Sequence, residues 1–322
     1  MQGVTVLVDH GVVVQGGRAT VVFDPTRTPA LKPSVVIVSH AHSDHYSLRA
    51  LRSLPNTPIV MSRATREIID PSLRLRNVVY IEDGEEVEVE GVRIDAFSSG
   101  HIVGSLQFLI ELEGKRIVFT GDFNLEKRLV LKPASVVRAD VVIIDGTYGS
   151  PEYVFPPRTE LYRGLVEFVK SRMEEGTPVL LKGRRVGVAQ ELTALMYMSM
   201  DVVPLVEESV ASVNRVYEKY GEWLGKYAPW VGSIPERAGP VITHLASRHD
   251  ARLPHCLCTG WAVKGGGFPL SSHADFSQIV RYVRDSGAEV AIPFCGYRSE
   301  LAESLKRLLG VEAYAEREVT IT

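Results

Sequence analysis

The chain has 322 residues, 45% of them hydrophobic and 23% charged, which is typical of a folded protein of one or two domains. A formal net charge of −3 excludes a generic polycation, so any nucleic acid must be held in a local basic groove. Three cysteines cannot form a disulfide framework and favour a reducing cytoplasm, while no apolar stretch approaches a membrane span or a signal peptide.

The first half of the chain is rich in short runs of β-branched residues, which predict strands and hairpins. These strands are predicted at Val4–Val8, Ala19–Phe23, Val35–Val38, Ile59–Met61, Glu86–Glu90, Val92–Phe97, Ser105–Leu112, Arg116–Thr120 and Val141–Ile144. A proline-rich stretch from Pro151 to Pro157 then marks a boundary.

Helical and strand patterns alternate after this boundary. The predicted elements are a helix capped by Thr159 and ending at Gly176, a strand Pro178–Leu181, helices Val188–Met198 and Glu208–Leu224, and a strand Gly239–Thr243. The last part predicts a strand Cys256–Gly260, a helix Asp275–Arg284, a strand Val290–Phe294, a helix Ser299–Leu309 and a final strand. We therefore expect a small α/β domain at 156–255, inserted into a larger domain formed by 1–155 and 256–322.

The run Ser39-His40-Ala41-His42-Ser43-Asp44-His45 follows the apolar segment Val35–Val38 directly. Three imidazoles and one carboxylate thus lie within six positions, and these are ligands that zinc binds at about 2.0–2.2 Å. A polar surface loop is the alternative interpretation. The density of donors favours a metal site.

Four more residues place an acid or a histidine at the end of an apolar strand. They are Asp24, His101, Asp122 and Asp145. Strand ends at one edge of a sheet are where α/β proteins bring together residues that are distant in sequence. Asp24 before Pro25 and Asp145 before Gly146 could also be turn formers.

Taken in order, this set resembles the metallo-β-lactamase fold, a four-layer αββα sandwich within the α/β class. The matching residues are Asp24 for the first motif, His40, His42, Asp44 and His45 for the second, His101 for the third and Asp122 for the fourth. Asp145–Gly149 resembles motif A of the β-CASP nucleases, and Ser271–Asp275 resembles their motif B. That branch carries a cap domain inserted after motif A, which is where the α/β insertion falls. The likeness includes DNA-ligase-associated exonucleases, DNA cross-link repair nucleases and mRNA 3′-end processing nucleases.

The resemblance implies two zinc ions, although manganese is compatible with the same donors. It places His40, His42 and His101 on the first ion, Asp44 and His45 on the second, and Asp122 between them. It also implies that Asp44 lies at the reacting centre, that Asp24 orients a ligand or water, and that Asp145 positions His273. His273 would contact the scissile phosphate or protonate the departing oxygen. Cys295 stands at motif C, and both a thiolate ligand and an inert buried thiol remain open.

Nucleic acid is the expected partner, together with a homodimer or with DNA-repair or RNA-processing proteins. Candidate phosphate contacts are Lys182, Arg184, Arg185, Ser271 and Ser272, with Arg248, Arg252 and Lys264 as further cations; solvated surface charge is the alternative for each cation. The expected function is a zinc-dependent nuclease, acting as a 5′ exonuclease on DNA. The alternatives are an RNA-processing nuclease of the same family, a small-molecule metallo-hydrolase and a non-catalytic scaffold.

Overall fold

The computed structural model describes residues 3–234, 239–247 and 253–322. They form two compact units. The first comprises the residues up to Glu126, Pro133–Glu152 and the chain from His273 onward; the second comprises Lys127–Lys132 and Tyr153–Ser272. None of the helices in the described part of the chain is long and apolar enough to cross a bilayer.

The first sheet of the first unit has seven strands. They are β1 (Val4–Val8), β2 (Val12–Gly16), β3 (Ala19–Phe23), β4 (Val35–Ile37), β5 (Ile59–Met61), β6 (Val78–Tyr80) and β20 (Glu318–Ile321), in the order β20-β1-β2-β3-β4-β5-β6. Pairing is antiparallel from β20 to β3 and parallel from β3 to β6. The helices α1 (Leu48–Arg52) and α2 (Arg63–Ile69) connect its parallel strands.

The second sheet of this unit also has seven strands. They are β7 (Glu86–Val89), β8 (Val92–Ser98), β9 (Leu106–Leu112), β10 (Lys115–Phe119), β11 (Val141–Ile144), β18 (Val290–Pro293) and β19 (Glu312–Ala313), in the order β19-β18-β11-β10-β9-β8-β7. Strands β10, β11, β18 and β19 are parallel to one another. The predicted hairpins β7–β8 and β9–β10 are both present.

Alternating apolar side chains bring the two sheets together. Their inner faces share one core, in which the rings of Phe23 and Phe119 stack with centroids 4.6 Å apart. On the outer face of the second sheet, the amphipathic helices α6 (Phe276–Ser286) and α7 (Arg298–Leu309) form a separate core with Val142. The predicted α/β sandwich is therefore confirmed.

The second unit contains a parallel sheet of near-continuous apolar strands, the pattern expected when both faces are covered. Its strands are β12 (Val179–Gly183), β13 (Leu205–Glu207), β14 (Ala228–Trp230), β15 (Pro240–His244), β16 (His255–Cys258) and β17 (Gly267–Phe268), in the order β14-β13-β15-β12-β16-β17. Its helices are α3 (Arg158–Glu174), α4 (Val188–Met200) and α5 (Glu208–Lys219), and a 3₁₀ turn spans Gly260–Lys264.

A buried ion network ties the short segment Lys127–Lys132 to the second unit. Arg158 donates to Glu191 Oε1 at 2.9 Å, and the hydroxyl of Tyr162 donates to the same oxygen. Arg128 Nη1 lies 3.5 Å from the other carboxylate oxygen. Removing one partner of such a network leaves an unpaired buried charge, which is strongly destabilising. The network therefore favours the structure in which the segment packs on the unit.

Several elements differ from the sequence-based expectation. The strands β2, β6, β13 and β14 were not predicted, because each is short or lacks clear alternation. Thr159 is not a cap: α3 begins at Arg158 after Pro157, with no side-chain cap. The compact units also have limits other than the expected 156–255, because β16 pairs with β12 and draws the residues up to Ser272 into the second unit.

Candidate metal centre

The residues of the candidate centre follow strands whose carboxyl ends meet at one edge of each sheet of the first unit. Asp24 follows β3 directly, and the histidine-rich loop follows β4, which is parallel to β3. In the other sheet, Asp122 follows β10 and Asp145 follows the parallel strand β11. His101 follows β8, which runs in the same direction as β10 because both are antiparallel to β9.

Three histidines converge in the first group. The nitrogen His42 Nδ1 lies 3.1 Å from His40 Nε2 and 3.0 Å from His101 Nε2. Two nitrogens bound tetrahedrally to one zinc ion at 2.0–2.1 Å would lie about 3.3 Å apart. The spacing of these three nitrogens therefore suits one small cation.

Asp122 completes this group. Its Oδ2 lies 3.3 Å from His40 Nε2 and 3.5 Å from His101 Nε2, and its Oδ1 lies 3.3 Å from His45 Nε2. Both oxygens are buried and accept no hydrogen bond from the described residues. A buried carboxylate without hydrogen bonds is costly, and a cation would satisfy it. The residues His40, His42, His101 and Asp122 thus fit a metal ion.

Asp24 and Ser39 set the proton positions on two of these rings. Asp24 Oδ2 accepts hydrogen bonds from Ser39 Oγ at 2.6 Å and from His45 Nδ1 at 2.8 Å. Because the only hydroxyl hydrogen of Ser39 goes to Asp24, the contact of 2.9 Å between Ser39 Oγ and His40 Nδ1 requires the ring to donate. In the neutral His40 ring the lone pair consequently lies on Nε2, the atom that faces Asp122.

Gly121 leaves room for Ser39. Its φ is +50°, and a Cβ at this position would lie 2.8 Å from the Cβ of Ser39. A side chain there would displace the serine that joins Asp24 to His40. The backbone of Asp24 has a φ of +48°, a left-handed conformation that aspartate adopts at a cost.

Burial and neighbouring charges give the residues of this group different ionisation states. Burial lowers the pKa of His40, and it holds the pKa of His101 well below its ordinary value with help from the charge of His273. Burial opposes ionisation of Asp122, but the charges of His45 and His273 outweigh it and hold its pKa well below the usual range. Burial opposes ionisation of His45 as well, but the charge of Asp122 outweighs it and raises the pKa of His45 well above its ordinary value. His40 and His101 are thus neutral beside an ionised carboxylate, and these are the states in which such groups bind a metal.

A second pair, Asp145 and His273, adjoins Asp122. His273 Nδ1 lies 2.9 Å from Asp145 Oδ2, and His273 Nε2 lies 3.6 Å from Asp122 Oδ2. The amide of Asn124 donates to the carbonyl oxygen of His273 at 2.9 Å, while the backbone N–H of Thr147 donates to Asp145 Oδ1. The ring of His273 is thus oriented by a carboxylate, with its other nitrogen directed at the metal group.

Cys295 contacts this pair. Its Sγ lies 3.1 Å from Asp145 Oδ1, at a distance where the thiol donates to the carboxylate. Burial raises the pKa of the Cys295 thiol well above its usual range, with the charge of Asp145 adding to the effect, so the sulfur carries its proton. Among the described residues, the groups whose atoms are close enough to share a metal do not include this cysteine.

Asp44 is a predicted metal ligand whose side chain is exposed. It does not belong to the groups of described residues whose donor atoms lie close enough together to share a metal, which are His40, His42, His101 and Asp122; Asp24, His40 and His45; and Asp122, Asp145 and His273. The cause is local: the backbone N–H of His45 donates to the carbonyl of His42 at 3.0 Å, in a turn that buries His45 and directs Asp44 outward.

The five predicted phosphate contacts belong to the second unit, whereas the histidine and aspartate groups belong to the first. Arg185 is exposed, Arg184 is half-buried, and Lys182 Nζ donates to the carbonyl of Ser247 at 3.1 Å. Ser271 and Ser272 are buried. The further predicted cations Arg248 and Arg252 lie outside the described residues.

Two supporting residues were missed at the level of sequence. Ser39 directly precedes the first histidine of its loop, and that position was a usable signal. Asn124 is separated from His273 by 149 positions, and nothing in the pattern connects them.

Comparison with known proteins assigns the chain to a family. Residues 5–174 match the family model described as "Beta-lactamase superfamily domain". A probable DNA ligase of Opitutus terrae is 30% identical over 299 residues, covering 86% of this chain. An RNase J-like protein of Methanocaldococcus jannaschii is 30% identical over 59% of the chain, and the endoribonuclease ysh-1 of Neurospora crassa is 30% identical over 61%.

These relatives are longer proteins. The chain spans 28% of the Opitutus protein, 51% of the Methanocaldococcus protein and 26% of the Neurospora protein. A crystal structure of a protein of unknown function from Enterococcus faecalis V583 superposes with a TM-score of 0.65 at 13% identity and covers 100% of both chains. At that identity the likeness concerns the fold alone.

Proposed function

The chain belongs to the beta-lactamase superfamily, and from that premise we propose that it is a metal-dependent nuclease that hydrolyses phosphodiester bonds. The membership confirms the family resemblance drawn from the motifs. The observation that carries the proposal is the buried Asp122 carboxylate, which accepts no hydrogen bond from the residues that the structure describes and is surrounded by four imidazole nitrogens. The names of the relatives, a DNA ligase and two ribonucleases, support nucleic acid as the substrate class.

His40, His42, His101 and Asp122 would hold one ion. Asp122 has its two oxygens directed at different histidines, so it would bridge to a second ion held by His45, with Asp44 of the same loop as the further predicted ligand. Zinc suits this set of nitrogen and oxygen donors. Ions bound there would supply Lewis acidity, which activates water and offsets charge on the phosphoryl oxygens.

The residues around the ions would orient and move protons. Asp24 holds the Nδ1 proton of His45 directly, and it holds the ring of His40 through Ser39. Asp145 fixes the Nδ1 proton of His273, so Nε2 is the atom that can carry a proton to the departing oxygen. In this arrangement the general acid is His273, whereas the metal-binding carboxylate is a different residue, Asp122.

The finer proposal is a 5′ exonuclease acting on DNA. The DNA ligase match supports it, because that alignment covers a larger share of this chain than either ribonuclease alignment. An RNA-processing nuclease is the second candidate, supported by the RNase J-like and ysh-1 relatives. A small-molecule hydrolase has no comparable support among the three relatives.

The test uses the full chain and four labelled substrates: single- and double-stranded DNA and RNA, each labelled at the 5′ or the 3′ end. We expect cleavage of at least one polymer in the presence of zinc or manganese and none after chelation. Release of 5′-terminal mononucleotides from DNA would support the leading proposal, and internal cleavage of RNA would support the second. Cleavage that persists in excess chelator would contradict a metal-dependent mechanism.

Cys295 provides a smaller prediction. We propose that its thiol positions Asp145 and does not bind a metal, because the sulfur already donates to the carboxylate. Changing Cys295 to alanine should lower kcat about 3- to 10-fold, the value of one hydrogen bond, while serine restores most of it. The zinc content, measured by metal analysis, should be the same in both variants. Loss of one zinc ion in the alanine variant would instead assign the sulfur to the metal.

A further inference from the structure

After two neighbouring strands of the parallel sheet in the second unit, β12 and β16, the chain continues to opposite sides of the sheet. After β12 the chain passes through α4 to β13, on one side of β12. After β16 it passes through the 3₁₀ turn to β17, on the opposite side. Open parallel sheets bind ligands at such a switch point, outside the carboxyl ends of the two strands.

Cations and an aromatic side chain follow these two strand ends. Gly183 at the end of β12 is paired in register with Cys258 at the end of β16, so the segments that follow begin side by side. Arg184 and Arg185 follow the first strand, while Trp261 lies in the 3₁₀ turn after the second. The switch point thus has two arginines after one strand and a tryptophan after the neighbouring strand.

Trp261 is both exposed and held in place. Its side chain is 48% exposed, although burial of an indole is usually favourable. Its ring meets that of Tyr153 edge to face, with centroids 5.2 Å apart and an angle of 87°. Tyr153 is itself only 1% exposed and has the ammonium group of Lys264 at 5.1 Å from its centroid. Because these contacts hold the indole ring in place before a ligand binds, the ring loses less conformational entropy on binding.

We propose that Trp261 stacks on a base of single-stranded nucleic acid, with Lys264, Arg184 and Arg185 contacting the phosphates beside it. Bases offer a flat π-face to an exposed indole, and the flanking cations match a polyanion. This site deepens the proposed function, since it presupposes a nucleic acid substrate. It accounts for an exposed aromatic ring that packing does not require.

The test measures binding by the full chain in excess chelator, so that no cleavage occurs. The probes are a fluorescent single-stranded oligonucleotide and the same backbone with abasic sites. Changing Trp261 to alanine should weaken binding of the ordinary oligonucleotide about 5- to 100-fold, the effect of one lost stacking contact, and leave the abasic one unchanged. Phenylalanine should restore part of the affinity.

Trp223 offers a matched control. It is 61% exposed in the same unit and also meets a tyrosine ring edge to face, that of Tyr197 at 5.9 Å. It precedes β14, a strand of the same parallel sheet, and so lies at the amino ends of the strands and not at their carboxyl ends. Changing Trp223 to alanine should leave the affinity unchanged. As a second readout, the oligonucleotide should quench tryptophan fluorescence in the unaltered protein and in Trp223→Phe, but not in Trp261→Phe.

The outcomes separate this inference from the proposed function. If the unaltered protein binds the oligonucleotide but Trp261→Ala binds it equally well, stacking is refuted and the proposed function stands. Equal weakening for ordinary and abasic probes would also refute stacking. If the unaltered protein binds no single-stranded DNA or RNA, this inference fails together with its premise.

Discussion

Changing Asp122 to asparagine should lower phosphodiester cleavage by about 10³-fold or more. The carboxylate faces His40, His45 and His101. An amide removes the negative charge that would hold the two proposed cations together, and metal ions contribute several kcal/mol to this kind of reaction. The zinc content should fall at the same time.

The folded state should persist in this variant, because within the described part of the chain the Asp122 oxygens accept no hydrogen bond on which other elements depend. Circular dichroism and thermal unfolding without zinc would show it. Asp285→Asn is the matched control: that aspartate lies on α6 in the same unit and pairs with Arg281 and Arg284 at the surface. Full activity and full zinc content in Asp122→Asn would remove the basis for the metal centre.

Changing His273 to alanine should lower kcat by about 10²- to 10⁴-fold on a natural nucleic acid, the range for loss of a general acid. The effect should largely vanish on a phosphodiester with a nitrophenolate leaving group, because that group departs without being protonated. Zinc content should not change. For each variant, the cleavage rate is therefore measured on both substrates, and the zinc content is measured by metal analysis.

Asp145 acts through His273 in this mechanism, since its Oδ2 holds the Nδ1 proton of the ring. Asp145→Asn should show the same dependence on the leaving group, and the double variant should be no worse than His273→Ala alone. His10→Ala, an exposed histidine in the same unit, serves as the control. A drop in zinc content in His273→Ala would show that the ring, 3.6 Å from Asp122, is a metal ligand and not an acid.

Strands with strong apolar runs could be predicted from the sequence because a buried strand shows as a run of consecutive apolar residues. β1, β3 and β11 have the predicted limits, and α4 begins at the predicted residue. The short strands β13 and β14 could not be predicted, since three residues become a strand only when parallel neighbours supply their hydrogen bonds. The same reason explains why β16 joins the sheet of the second unit: its pairing with β12 is a long-range contact.

The sequence by itself determined the type of site. Three histidines in one short loop already bring nitrogen donors close together, because their spacing is local. Only the tertiary structure decided which donors face one another. The Cys295 thiol meets Asp145 across 150 positions, and Asp44 turns outward although its neighbour His45 turns inward. Such contacts depend on where folded strands end and on which side chain fills the space between them, and neither is recorded in the order of residues.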